Sequence, residues 1–152
     1  MLEQNQINVI KEAVEEFFEK MTMEVVSMEV SEQTDVVTAD LKINEPQILI
    51  GQGGQTLFEI QRLLKTVLNK KVQENFYFNL DINDYKKQKV EYLKEMAKGF
   101  ADQVSLNKEE KVLPPMSSYE RRVIHAELAQ RTDVVTESQG ESFDRHIVIK
   151  PK

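Results

Sequence analysis

Two short spacings in this chain hold residue types able to grip a polyanion. The first is Gly51-Gln52-Gly53-Gly54, with the apolar run Ile48-Leu49-Ile50 before it and Gln55-Thr56-Leu57 after it. Glycines admit positive φ and let another backbone come close. Amides at the start of a following helix carry the positive end of its dipole, so such a loop can hold a phosphate without side-chain charge. The second spacing is Arg121 and His125, four apart and therefore on one face if helical, with Tyr119 and Arg122 beside them. Arginine offers a permanently charged donor fork suited to phosphate. A histidine ring can stack on a base or donate to phosphate, with a charge that varies near neutral pH. Each spacing also has an ordinary use. The glycines suit a tight connection between two helices, and the Arg–His pair suits a solvated charge cluster with His125 packed or paired to Glu120 or Glu127.

The elements that must position these residues follow from hydrophobic periodicity. Ile7, Ile10, Val14, Phe17, Phe18 and Met21 form the apolar stripe of a helix. Val26, Met28 and Val30, then Val37, Ala39, Leu41 and Ile43, alternate as two hairpin strands around the break Glu32-Gln33-Thr34-Asp35. A brief helix opening at Pro46 precedes the glycines. A longer one carrying Leu57, Ile60, Leu64, Val67 and Leu68 follows them, and Phe76, Phe78, Leu80 and Ile82 alternate as a third strand. Composition shifts at Asn83-Asp84. From there a helix is expected to about Val104, with Lys86, Lys87, Lys89, Lys94 and Lys98 on its wet faces. A short strand at Lys111-Val112-Leu113 stops at Pro114-Pro115, and Ser117-Ser118-Tyr119-Glu120 has the form of a capping box opening a helix to about Ala129. Two strands near 133–138 and 143–149, joined by a turn at Gln139-Gly140, complete the chain. The fold class is α+β, with order α-β-β-α-α-β over residues 1–82 and α-β-α-β-β over residues 83–152.

Composition narrows the function classes. There are 152 residues and no Cys, which removes disulfides, thiolate nucleophiles and Cys-ligated metals. The start, MLEQNQ, is unlike a signal peptide, and no apolar run approaches the roughly 20 residues a membrane helix needs, so a cytoplasmic protein without membrane insertion is expected. No Ser/His/Asp pattern or carboxylate pair suggests an enzyme. A His125/His146/Glu127 metal site lacks recognised ligand spacing, and neither metal nor cofactor is expected. The net charge of −6 argues at first against nucleic acid. It is unevenly placed, however: residues 1–82 hold 7 basic and 14 acidic side chains, whereas residues 83–152 hold 13 and 12.

Taken with their surroundings, both spacings resemble known modules. Ile50-Gly51-Gln52-Gly53-Gly54-Gln55-Thr56-Leu57, within α-β-β-α-α-β, resembles a KH domain of the type II order, whose G-x-x-G loop clamps single-stranded backbone. This loop has Gln52-Gly53 where many KH loops carry a basic residue, leaving Lys42, Arg62 or Lys65 as the nearest cations by sequence. Leu113-Pro114-Pro115-Met116-Ser117-Ser118-Tyr119-Glu120-Arg121-Arg122-Val123-Ile124-His125 resembles the core of an R-x-x-x-H (R-3-H) domain, a single-stranded nucleic-acid-binding module. Thr136 to Glu141 and Arg145 to Pro151 extend the match. A KH domain followed by an R-x-x-x-H domain is similar to the bacterial Jag family, also called KhpB or EloR.

The resemblance implies a non-catalytic protein binding single-stranded RNA, with single-stranded DNA as the alternative ligand. Its nucleic-acid contacts would be Gly51, Gln52, Gly53, Gly54, Arg121, Arg122, His125, Arg145 and Lys150, the last two on a closing basic strand. It further implies post-transcriptional regulation or RNA chaperoning linked to cell elongation, cell-wall synthesis or sporulation, and pairing with a second small KH protein or self-association. Family members usually carry another N-terminal domain; this chain starts at the KH helix, and functions particular to that domain are not expected of it. The competing reading is a protein-interaction adaptor in which one or both modules no longer bind nucleic acid.

Overall fold

A computed structural model describes residues 1–152, which divide into two compact units, Met1–Lys86 and Lys87–Lys152. In the first, helix α1 (Gln4–Lys20) starts where the Glu3 amide donates to the Gln6 side chain at 2.7 Å. It turns Ile10, Val14 and Phe18 inward, all fully buried. Strands β1 (Val25–Gln33) and β2 (Val36–Ile43) pair antiparallel, with Val30 opposite Ala39. Thr34 and Asp35, both at positive φ, form the two-residue turn between them, so Glu32 and Gln33 belong to the strand rather than to the break. Helices α2 (Gln47–Ile50) and α3 (Gln55–Val72) make the crossover to β3 (Tyr77–Ile82). β3 pairs parallel to β2, giving the sheet order β1-β2-β3. The core gathers α1, the inward face of β2, Leu57, Ile60, Leu64 and Leu68 of α3, and Phe78, Leu80 and Ile82 of β3.

The alternation read from Val26 is out of phase. A bulge between Val25 and Ser27 puts Val25 opposite Ile43 and leaves Val26 59% exposed, while Met28 and Val30 do pack on the core. The chain leaves β3 through Asn83, whose amide donates to the Leu41 carbonyl at 2.8 Å. Its side chain both accepts from the Ile43 amide and donates to the Ile43 carbonyl, prolonging the ladder with a side chain. Asn83 and Asp84 take positive φ, so helix α4 (Tyr85–Asn107) starts two residues later than the composition shift suggests.

In the second unit, strand β4 (Lys111–Val112), helix α5 (Ser118–Leu128), strand β5 (Val134–Gln139) and strand β6 (His146–Pro151) follow the rest of α4. The sheet order β4-β6-β5 puts β6 at the centre, antiparallel to both neighbours. The helices cover it with Leu93, Ala97, Ala101 and Val104 from α4 and Ile124 and Leu128 from α5, against Ile147 and Ile149 of β6. The expected turn at Gln139-Gly140 is instead a six-residue connection, 140–145, containing a 3-10 turn at Ser142–Asp144. β6 therefore begins at His146, and Arg145 lies just outside it. Arg131 closes the far end of α5, donating from two nitrogens to Asp133 at 2.9 and 2.6 Å and to Asp102 at 2.7 Å. The Arg131 and Ser105 side chains hold the Asp133 carboxyl far below the usual carboxylate range.

Candidate nucleic-acid interface

The glycine loop of the first unit is shaped by its own bonds. Gly51 sits at φ 70, ψ −175, and a Cβ there would lie 2.2 Å from Thr56 Oγ1. Gly53 and Gly54 have φ of 62 and 85. A Cβ on Gly54 would come within 2.7 Å of the Tyr85 ring, so that ring packs against the loop. All three glycines need left-handed backbone, and two also need the absence of a side chain. The Gly51 amide donates to the Gln47 carbonyl at 2.9 Å, the Gly54 amide to the Gly51 carbonyl at 3.4 Å, and the Gln55 amide to Gln52. Three amides, those of Gly51, Gly54 and Gln55, therefore close the loop's own turns. Gln52 and Gly53 form its exposed crest.

The surroundings of this loop are more apolar than cationic. Ile48 on α2 is 76% exposed and Phe58 on α3 is 51% exposed. Arg62 pairs with Glu59 at 3.5 Å, and the Lys65 ammonium lies 5.3 Å from the Tyr77 ring centre. Lys42 is exposed on β2. Phe58 lies off the stripe Leu57, Ile60, Leu64 and Leu68, a signal the helical period could have supplied, whereas Ile48 in the run Ile48-Leu49-Ile50 carries none.

At the end of β3 lies a polar cluster that could suggest a cation. Carboxylate oxygens of Asp40, Asp81 and Asp84 all lie within 4.8 Å of one another. Buried Asp81 already has work there: its Oδ1 accepts from the Ile82 and Lys86 amides at 2.9 and 3.0 Å, capping α4. The Lys86 ammonium donates to Gln61 and, at 2.9 Å, to Asn79; burial lowers its pKa while the Asp81 charge opposes that fall. This is a cap with a counter-ion.

In the second unit the capping box forms as the sequence predicts. Ser117 Oγ accepts from the Glu120 amide at 3.3 Å, and Glu120 Oε2 accepts from the Ser117 amide at 2.8 Å. Burial pushes the Glu120 carboxyl up, but Lys89, 2.6 Å away, and Ser117 together outweigh it and hold the pKa below its ordinary value. This cap orients the first turn of α5, from which Arg121 projects. Arg121 Nη1 donates to the Met116 carbonyl at 2.6 Å and Nη2 to Ser118 Oγ at 3.1 Å. The Met116 amide in turn donates to the Arg145 carbonyl at 3.2 Å. Arg121 and the Arg145 backbone are thus joined through one residue. Arg122 is exposed on the next helical position, and the exposed Arg145 guanidinium donates to the Gly140 carbonyl at 2.9 Å.

His125 is the largest departure from the expected arrangement. Its Nδ1 lies 2.7 Å from Thr136 Oγ1 and its Nε2 lies 2.9 Å from Ser138 Oγ, so both ring nitrogens are engaged by β5. The half-buried ring fastens helix to sheet instead of offering a free donor to phosphate. Burial, and then the Arg121 charge, lower its pKa and favour neutral imidazole. Lys150 is also engaged, paired to Glu137 at 2.6 Å across the β5–β6 ladder. It stands on β6, five residues along the chain from Arg145, which lies just outside that strand. Glu127 pairs with Lys98 at 3.1 Å, and His146 Nδ1 donates to the Asp144 carbonyl at 2.7 Å. The residues considered for a histidine metal site are each held elsewhere.

Comparison with known proteins shows which sequences the chain is similar to. Residues 91–151 match the R-3-H domain family, named for its Arg and His with three residues between. Over 93% of its length the chain is 39% identical to the RNA-binding protein KhpB of Clostridium symbiosum, covering 64% of that protein. It is 33% identical over 81% of its length to the RNA-binding protein KhpB of Bacillus subtilis (strain 168), covering 60% of it. With the RNA-binding protein KhpB of Lactiplantibacillus plantarum the match is 32% over 74%, covering 35% of that relative. The chain spans less than two thirds of the length of each of these curated relatives. No helix is long and apolar enough to cross a membrane.

Proposed function

The chain belongs to the KhpB/Jag family, and on that premise we propose that it binds single-stranded RNA, chiefly through the second unit. The observation that carries this reading is the cationic cluster at the start of α5. Arg121 is oriented there by Met116 and Ser118, Arg122 is exposed beside it, and Arg145 is tied in through Met116. Guanidinium groups so held present planar donor forks suited to phosphate, with less freedom to lose than flexible lysines. Gly51, Gln52, Gly53 and Gly54 add a weaker backbone contact, with Ile48 and Phe58 offering apolar surface to bases. Two weak sites in one chain reinforce each other through effective concentration. The biological setting that fits is post-transcriptional regulation in the cytoplasm, in partnership with a second small KH protein or another copy of the chain.

The test is fluorescence anisotropy with a labelled unstructured RNA oligonucleotide across a salt series. Arg122→Glu, at an exposed position without structural bonds, is expected to weaken binding and to lower the salt slope by about 1 or more. Failure of the unmodified chain to bind RNA at low salt overturns the proposal. A second reading, in which the first unit docks a protein in place of RNA, is favoured by the occupied loop amides and the Arg62–Glu59 pair. RNA crosslinks confined to residues 87–152 support this second reading, and crosslinks at Gln52 or Gly53 refute it in favour of the two-site one.

A further inference from the structure

The connection between β5 and β6 holds a phenylalanine in full solvent. Phe143 is 98% exposed at the middle of the 3-10 turn Ser142–Asp144. An unrestrained loop would fold such a ring back onto apolar surface, since exposed apolar area is unfavourable in water. This loop cannot. The Asp144 amide donates to the Glu141 carbonyl at 3.0 Å, the Arg145 amide to the Ser142 carbonyl at 3.4 Å, and the Arg145 guanidinium to the Gly140 carbonyl at 2.9 Å. His146 Nδ1 holds the Asp144 carbonyl from below at 2.7 Å. Gly140 has φ +83, and a Cβ there would lie 2.7 Å from the Asp144 carbonyl oxygen, so the turn is closed too tightly for any other residue. Ser142 also takes positive φ, at 51. The loop is built to present the ring.

We propose that Phe143 is a stacking platform for one unpaired nucleobase of the strand whose phosphates meet Arg121 and Arg145; this rests on the RNA-binding reading above. The Arg145 carbonyl is bonded to the Met116 amide and the Met116 carbonyl to the Arg121 guanidinium, so the ring stands two residues from a backbone anchored beside both cations. Asp144 beside it and Glu141 two residues before it are acidic and exposed. They repel phosphate from the ring and disfavour an anionic lipid surface, and they leave an uncharged aromatic base as the complementary occupant. A benzene ring carries no donor or acceptor, so the stacking is tolerant of base identity.

The chain contains no Trp, so Phe143→Trp gives a single reporter. In the intact protein, its emission is expected to be quenched by oligouridylate with the same concentration dependence that anisotropy of labelled RNA shows. Phe143→Ala and Phe143→Leu are expected to bind about tenfold more weakly with an unchanged salt slope. Normal RNA binding with unquenched emission and an unaltered Phe143→Ala affinity overturns this inference and leaves the RNA-binding reading standing. Absence of RNA binding by the unmodified chain overturns both.

Discussion

Replacing His125 with Ala separates two roles that a histidine in an R-x-x-x-H pattern could play. Both ring nitrogens are bonded to hydroxyls of β5, at 2.7 Å to Thr136 and 2.9 Å to Ser138. Each such bond contributes about 0.5–1.5 kcal/mol net, so losing both is expected to destabilise the second unit by about 1–3 kcal/mol. For a unit of this size that corresponds to a fall in Tm of the order of 10 °C. Amide hydrogen exchange localises the effect, with protection expected to drop in α5 and β5 and to stay unchanged in β1–β3. Thr136→Val in the His125→Ala background should cost little further, because its bond is already gone. The pH dependence has a definite sign. His125 has its folded-state pKa depressed below the ordinary 6.5, so the unfolded chain takes up a proton first as pH falls. Stability is therefore full above pH 6.5 and declines as pH drops through the folded-state pKa; His125→Gln removes that decline. In neutral or charged form the two hydroxyls can satisfy both nitrogens, so the decline comes from burial and from Arg121 rather than from broken hydrogen bonds. A His125→Ala protein whose stability stays within about 0.5 kcal/mol while RNA affinity collapses refutes this reasoning and makes His125 a contact residue.

Two further outcomes follow from the geometry. Gly54→Ala places a Cβ against the Tyr85 ring at φ +85 and is expected to lose about 1–2 kcal/mol from backbone strain alone. Combining it with Tyr85→Ala should cost less than the sum in thermal melts, whereas strict additivity contradicts the contact. Glu137→Gln releases the Lys150 ammonium from its partner and is expected to tighten RNA binding and steepen the salt slope in the anisotropy assay. An unchanged slope removes Lys150 from the interface.

What can be read from the sequence is what is local. The Ser117–Glu120 capping box, the stripe of α1 as far as Phe18 and the glycine loop between two helices each depend on residues within a few positions, and each is found, whereas Met21, read into that stripe, lies past the helix end and is 40% exposed. Val26 escapes such reading because a one-residue bulge inverts the inward phase without changing the residue pattern. The roles of His125 and Lys150 depend on partners 11 to 13 residues away whose register only the folded sheet defines. Arg145 passes for a strand residue because the tight turn that displaces it hinges on a single glycine, Gly140, and on a positive φ at Ser142 that no periodicity reports.

The central place of β6 has a consequence for synthesis. It supplies Ile147 and Ile149 to the second core and pairs with both β4 and β5, yet it is made after every other element described. A growing chain can close the first unit, whose last strand ends at Ile82, while the ribosome is still translating the second. The second cannot assemble until residue 151 has cleared the exit tunnel, and until then the apolar faces of α4 and α5 wait uncovered. Nascent chains stalled before that point are expected to be held by chaperones, and a premature stop codon within β6 removes the strand on which the whole sheet is built.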